Sequence, residues 1–405
     1  MNFAELKHLE SSGELLADLG LQPVSNRFLA ADSRTPTLGF PLELRINPDT
    51  GLIHQGSPFP LEEIKPRYDW LTCFEPEDHL DNLTERLTKL PGITPASMFG
   101  AYSFKDDSTL KRLERLGYTR QWRIDPEQDL GVLDVCANVE TYQRALTIDK
   151  AHEIRERRGA ADVLIVRHVV EHAYDLPTFI SAIRSMVSPG GYIVWELPDC
   201  ERALASGDCT TIWEEHIFYF TSFTFEQVLL SAGFSIVYYE SVNYPLENSL
   251  VAIVREASAG EKCASLDSQA VAKEVARAQN FAQSLTRRKI IIRKLLETLR
   301  QEHGNIAIFG AGHLSVAFLA IMQVDDIISC VIDDNPHKKG LQMPIGHLKI
   351  LGSEALYSGE IRVCLLGLNP QNQPRVISKH QQFVEQGGIF ASIFPGSELE
   401  LDRLQ

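Results

Sequence analysis

The sequence predicts an α/β protein built from two doubly wound units. Three observations carry that prediction. Apolar runs of strand length alternate with amphipathic stretches of helix length from about residue 95 to residue 255. The alternation restarts after residue 303, behind a long helical segment with few breakers, and continues to the C-terminus. The strand runs, such as "ADVLIVRHVVEH" (161–172), are almost continuously apolar, as expected where helices cover both faces of a parallel strand.

The elements follow in order. Residues 1–20, "MNFAELKHLESSGELLADLG", are acidic and helical in pattern, unlike a secretory leader. The stretch to residue 80 is punctuated by Pro and Gly around the runs "LELRI" and "GLIHQ", which reads as a small β-containing module. "EDHLDNLTERLTKLPG" (77–92) has a helical period and stops at Pro-Gly. "ASMFG" reads as a strand. "DDSTLKRLERLG" reads as a helix capped by Asp107 or Ser108 and ended by Gly117. "YTRQWRIDP" is a second strand, closing on Asp125. After the buried run at 161–172, "DLPTFISAIRSMVSPGG" is a helix stopped by Pro-Gly-Gly, and "YIVWELPD" is a strand. "TSFTFEQVLLSAGF" is a capped helix, and "SIVYYESVNY" and "SLVAIVRE" are two late strands. The second unit opens with "NIAIFGAGHLSVAFLAIMQ", a strand, glycine turn and helix. "ISCVIDDNP", "IRVCLLGLN" and "GGIFASIFP" supply its further strands.

Composition narrows the function classes. Apolar residues make up 44% of the 405 and charged residues 23%, ordinary values for a globular chain with ample core. The net charge of −15 argues against a nucleic-acid or anionic-membrane binder, while leaving room for an anionic small substrate in a local basic pocket. No apolar run approaches 18 residues. The seven cysteines form no CxxC pair, so neither a disulfide framework nor a metal-ligand spacing is expected, and the chain reads as cytoplasmic.

Several residues stand where ligands bind. In a doubly wound sheet the site lies at the carboxyl ends of the strands, near the switch point. Asp125 ends the second strand there, and its carboxylate can accept hydrogen bonds from ribose hydroxyls; capping of the following turn is the alternative. The loop after the first strand, "FGAYSFKDDST" (99–109), has one glycine, Gly100, to bring backbone close to a cofactor. His168, Glu171 and His172 in "RHVVEH" either line the same cleft or cap the next helix. In the second unit, Gly310-Ala311-Gly312, Ser315 and Asp333 partly match a dinucleotide fingerprint; close strand–helix packing in a non-binding domain is the better account of the glycines. Finally, "TIWEEHIFYF" sets Glu214, Glu215 and His216 among large apolar side chains.

The run from 161 to 199 followed by "TIWEEHIFYFTSFTFEQVLLSAGF" resembles the core of S-adenosylmethionine-dependent C-methyltransferases that act on nucleotide-linked keto-deoxysugars. That family's Tyr-His-Glu-His run, followed by an aromatic pair, reads here as Trp213-Glu214-Glu215-His216 with Tyr219-Phe220. "LGLQPVSNRFL" (19–29) and "GLIHQGSPFPLEEIKPRYDW" (51–70) resemble its N-terminal module, and "FGAGHLSVAFLAIM" and "VIDDNPHKKG" its C-terminal domain. The resemblance implies a class I methyltransferase Rossmann-like sheet at 81–255, a substrate-side module at 1–80, a helical connector at 256–303 and a second Rossmann-like domain at 304–405. It implies S-adenosylmethionine as cofactor and a sugar nucleotide as substrate. His216 inherits the role of base, Glu215 that of its partner and Tyr68 a place in the substrate site. Gly100, Asp106, Asp125 and His168 are the cofactor candidates.

The chain departs from the family at three points. Asn47 and Thr50 lie where zinc-binding cysteines would be, so no metal is expected. The loop "GAYSFKDDST" is longer and lacks its second glycine. Trp213 replaces a tyrosine. These departures motivate two rivals: a non-catalytic relative that binds a sugar nucleotide or a protein partner, and an O- or N-methyltransferase. Methyl transfer to any acceptor rejects the first; the position of the methyl group decides the second.

Overall fold

The computed structural model describes residues 13–71, 75–258 and 267–404, and three sheets organise them. Residues 1–12 of the acidic stretch lie outside the described residues, as do Cys73 and Cys263. The first sheet is antiparallel, in the order β1-β2-β3-β8, with β1 Glu14–Pro23, β2 Gly39–Ile46, β3 Ile53–Gln55 and β8 Phe218–Tyr219. Residues 14–20, expected as helix, are therefore strand: pairing with β2 offers every backbone group a partner that an isolated short helix would lack. β8 comes from the far side of the chain, directly after His216, and pairs with β3 through His54 and Phe218.

The central sheet has the order β5-β4-β6-β7-β10-β9. β4 Phe99–Ala101, β5 Gln121–Arg123, β6 Ala161–Arg167 and β7 Val187–Asp199 run parallel. β10 Asn248–Glu256 is antiparallel to β7 and to β9 Phe234–Val242. Alternation along β6 feeds two cores: Leu164 and Val166 join Ile193 and Trp195 on one face, while Val163 and Ile165 join Val194 on the other. The expected doubly wound α/β sheet is thus present. Its switch point lies between the carboxyl ends of β4 and β6, where connections leave in opposite directions.

Local details differ from expectation. The helix Asp107–Arg115 is not capped by Asp107 or Ser108; a 3-10 turn, Phe104–Asp106, precedes it, and Ser103 and Asp106 form a capping box around that turn. The Pro-Gly-Gly expected to stop a helix lies inside β7; the helix Leu176–Ser185 has already ended. Between β5 and β6 the chain forms three helices, Pro126–Leu130, Val139–Ala145 and Ile148–Arg158.

The third sheet is wholly parallel, in the order β13-β12-β11-β14-β15: β11 Asn305–Phe309, β12 Ile328–Ile332, β13 Ile350–Leu351, β14 Ile361–Leu366 and β15 Ile389–Ser392. The helix Ser268–His303 leads into it. One continuous core joins Leu42 and Leu44 of the first sheet, Phe281 and Leu296 of that helix, and Ile308 and Val363 of the third sheet. Among the described residues, no helix is long and apolar enough to cross a membrane.

Candidate active site

The segment Trp213–Ile217 has no regular structure of its own, so its shape depends on what holds it. Five residues do so from all sides. Gln55 Nε2 donates to the carbonyls of Trp213 (3.1 Å) and Glu214 (3.0 Å). The Tyr219 hydroxyl donates to the Trp213 carbonyl (3.0 Å). Ile217 N donates to the Glu171 carbonyl (2.8 Å), tying the segment to the end of β6. Glu214 Oε1 accepts from both the backbone N–H and the hydroxyl of Ser25 (2.6 and 2.7 Å). On its other side Glu214 Oε2 lies 3.2 Å from His313 Nδ1, and the His313 ring stacks on Trp213 with centroids 3.6 Å apart. Burial pushes the Glu214 carboxyl up, but the hydrogen bond and charge of His313 and the Ser25 donors bring it below the usual carboxylate range. Glu214 is therefore a latch joining the first sheet, the central unit and the first helix of the third.

So pinned, the segment turns Glu215 and His216 toward the end of β6. His216 is 8% exposed; its ring stacks near Trp213 (5.6 Å) and meets His172 edge-on (4.8 Å). Burial, reinforced by the neighbouring His172 and Lys105 side chains, holds the His216 imidazole well below its ordinary pKa, so it is neutral at neutral pH. Its carboxylate neighbour is Glu171: ligand atoms of Glu171, His172 and His216 lie within 4.8 Å of one another. Glu215, expected beside His216, instead groups with Glu140 and His172 within the same distance. Burial and the charges of Glu140 and Glu214 push the Glu215 carboxyl well up. Glu140, from the helix Val139–Ala145, was not among the residues picked from sequence.

The other candidates are distributed differently. Tyr68 donates to the Phe28 carbonyl (3.4 Å) and packs in an aromatic group with Phe28 and Trp70. His168 takes a left-handed backbone (φ 51°) at the end of β6. Its Nε2 lies 3.1 Å from Glu196 and its Nδ1 3.5 Å from Glu75, inside a buried charge network with Arg167. Asp106 is fully buried; its carboxylate accepts from the backbone N–H groups of Tyr102, Ser103 and Arg167, and burial still raises its pKa to about 7. Gly100 packs under Trp122, whose ring would lie 2.6 Å from an added Cβ. Asp125 caps the helix Pro126–Leu130, its Oδ1 accepting from Glu127 N and Gln128 N. Lys105, unnoticed in the sequence, spans the strand ends: Nζ donates to the His168 carbonyl (2.9 Å) and pairs with Glu75 (2.8 Å).

Residues 110–239 match the family described as "Methyltransferase domain", and residues 248–395 the family described as "C-methyltransferase C-terminal domain". The chain is an S-adenosylmethionine-dependent methyltransferase. The methyltransferase is 24% identical over 326 residues to the C-methyltransferase NovU of Streptomyces niveus, covering 78% of this chain and 77% of that one. Among solved structures it aligns with a methyltransferase from Anabaena variabilis (12% identity, 44% of this chain and 85% of that one, TM-score 0.29). It also aligns with the [4+2]-cyclase SpnF (13% identity, 44% and 82%, TM-score 0.30). The first family match begins inside the helix Asp107–Arg115, so the divergent loop at 99–109 lies outside it.

The cofactor of such a domain is S-adenosylmethionine, and the carboxyl ends of β4 and β6 suit it. The helix Val139–Ala145 folds over them, held by Gln143 Nε2 donating to the Val169 carbonyl (2.5 Å). Beneath it the Tyr102 hydroxyl, Asn138 Nδ2 and Gln143 Oε1 are buried without a hydrogen-bond partner. Buried polar atoms left unpaired cost about 1–3 kcal/mol each, and a ligand carrying hydroxyls, amines and a carboxylate supplies the missing partners.

Proposed function

We propose that this methyltransferase alkylates carbon on a nucleotide-linked keto-deoxysugar, with His216 as the base. The observation that carries this reading is the His216 imidazole itself: enclosed, held neutral, and fixed on a segment tied down at both ends. A neutral imidazole accepts a proton, and a carbon beside a ketone yields one to form an enolate. S-adenosylmethionine, when bound, supplies an electrophilic methyl group. His216 removes the proton from the substrate carbon; Glu171, its carboxylate neighbour, stabilises the imidazolium that results. Glu215, partly exposed, faces the substrate. In this reading Tyr68 lies toward the sugar nucleotide.

The cofactor is held by the polar atoms left unpaired at the ends of β4 and β6. Asp125 Oδ2, which capping leaves uncommitted, accepts from the ribose, and Gly100, Asp106 and His168 shape the floor of the site. The C-methyltransferase named among the relatives supports carbon as the acceptor. The reading also takes the protein to be cytoplasmic, where nucleotide sugars are made.

The test is His216→Asn assayed for methyl transfer to a nucleotide-linked 4-keto sugar, with S-adenosylhomocysteine binding followed by calorimetry. Loss of turnover with binding retained is expected. Turnover equal to the parent's removes His216 as base, and a methyl group found on oxygen or nitrogen by NMR overturns carbon as acceptor.

A further inference from the structure

We propose that Glu140, His172 and Glu215 form a binding site for one divalent transition-metal ion beside His216. The three residues come from three separate elements: the helix Val139–Ala145, the 3-10 turn Val170–His172 that follows β6, and the pinned segment Trp213–Ile217. Each offers one ligand atom, and these atoms lie within 4.8 Å of one another. Atoms that share one ion at about 2.0–2.2 Å stand about 3–4 Å apart, so an ion would draw these ligands slightly together.

Two of the three residues also lack hydrogen-bond partners as they stand. Glu140 is 1% exposed and neither carboxylate oxygen has a hydrogen-bond partner. His172 is 4% exposed; Nδ1 comes within 2.6 Å of Glu140 Oε1, yet the geometry makes no hydrogen bond. The contact is an ion pair when His172 is protonated; otherwise it sets a nitrogen lone pair beside a carboxylate oxygen, an arrangement that a metal ion can bridge. The charge agrees: two carboxylates and one neutral imidazole carry −2, which a dication cancels.

The surroundings favour the arrangement. Glu171 Oε1 faces His172 Nε2 at 3.7 Å, and neither Glu171 oxygen has a hydrogen-bond partner. A carboxylate on that side favours the proton on Nε2 and leaves the Nδ1 lone pair for the metal. One imidazole nitrogen with two carboxylates suits zinc, manganese, iron or cobalt better than magnesium or calcium. Three protein ligands leave coordination positions open, as in catalytic rather than structural sites. If the reaction is the one proposed above, an ion there takes the ketone oxygen and stabilises the enolate while His216 holds the proton. The metal site itself does not rest on that reading.

The experiment measures the ion without cofactor or substrate. Chelator-treated full-length protein is titrated with Zn2+ alone and with Co2+ alone, and retained metal is counted by mass spectrometry after gel filtration. About one ion per chain is expected, with visible Co2+ bands, falling in affinity about tenfold or more in Glu140→Gln and in His172→Gln. Circular dichroism confirms that both variants fold; Glu140→Gln is nearly isosteric and keeps the test open if His172→Gln does not. Three results overturn the site: no retention above a buffer control, retention unchanged in the folded variants, or a Co2+ spectrum dominated by thiolate charge transfer, which would put the ion on cysteines. Loss only in His216→Asn and Glu171→Gln would overturn it too, by moving the ion to the other face of His172. Methyl transfer without bound metal, or bound metal without methyl transfer, separates this inference from the proposed reaction.

Discussion

The central and C-terminal sheets share a design and differ at their carboxyl ends. Both are wound outward from a switch point, between β4 and β6 in one and between β11 and β14 in the other. At the first switch point, acids and imidazoles are buried with unmatched polar atoms: Glu140, Glu171, His172 and Tyr102. At the second, the polar groups of the dinucleotide fingerprint are spent. Asp333, placed where a ribose-binding acid would stand, accepts from Ala311 N (2.9 Å), Asn335 N (2.8 Å) and Lys338 Nζ (3.3 Å). Ser315, at the third fingerprint position, is fully buried and donates to the Gly367 carbonyl (3.2 Å). One topology thus supports two states: strand ends that hold unsatisfied chemistry, and strand ends closed on themselves. The helix after the second glycine turn, His313–Met322, directs its first residue to Trp213 and Glu214, so the closed end buttresses the open one.

The comparison breaks first at His216. Replacing it by Asn is expected to lower kcat by about 10²–10⁴-fold, the usual worth of a positioned base. Asp333→Asn should leave kcat unchanged in the same assay. An equal fall in both variants would mean that the second strand ends take part in the chemistry after all.

Glu214 joins the two ends, so its loss should be felt as stability. Glu214→Ala leaves the Ser25 donors and His313 buried without their acceptor. Breaking such a buried pair costs about 3–5 kcal/mol, read as a lower denaturant midpoint. A variant as stable as the parent would show that the third sheet docks without the latch.

These residues were unequally legible in the sequence. Strands β6, β7, β10 and β14 were plain because parallel or central strands bury both faces and leave long apolar runs. Glu171, His172 and His216 stood out as polar groups inside such runs. Glu140 did not: its helix has seven residues and no apolar stripe, and it gains meaning only by folding over β4 and β6. The latch was equally invisible, because Ser25 lies 189 residues from Glu214. Asp125 illustrates the converse. A carboxylate before Pro126 signalled a helix cap as strongly as a ribose ligand, and the cap formed.

The network behind the first strand ends should make stability depend on pH in two windows. Burial alone would raise the Glu75 carboxyl, but the charges of His168, Lys105 and Arg167 outweigh it and lower its pKa from 4.5 to about 2. Its contribution, about 3 kcal/mol at most, is present above pH 4.5 and lost as pH falls toward 2. His168 behaves in the opposite sense. Burial would lower it, but Glu75 and Glu196 raise it above 6.5, so its contribution is full below pH 6.5 and fades as pH rises through the raised value. Urea midpoints should fall on both sides, and His168→Gln should flatten the alkaline side. An alkaline limb unchanged in that variant would assign it to another group.

The smallest expected effect tests whether the second end is truly closed. Gly310 has φ +108°, and a Cβ there would stand 2.9 Å from the Gly367 carbonyl oxygen. The residue is bound to the turn by backbone geometry alone: its N–H donates to the Ile332 carbonyl (2.7 Å). Gly310→Ala therefore meets both a disfavoured dihedral and a close backbone contact, at a cost of about 1–3 kcal/mol. If the glycine serves strand–helix packing, that cost appears only in the unfolding midpoint, and the affinity for S-adenosylhomocysteine and for a nucleoside diphosphate stays the same. If it also keeps backbone open for a phosphate, nucleotide affinity falls as well as the midpoint. Gly312, where an added Cβ meets nothing within 4 Å, is the matched control: Gly312→Ala should leave packing intact, so a loss of nucleotide binding in that variant would show that the closed end is a second ligand site.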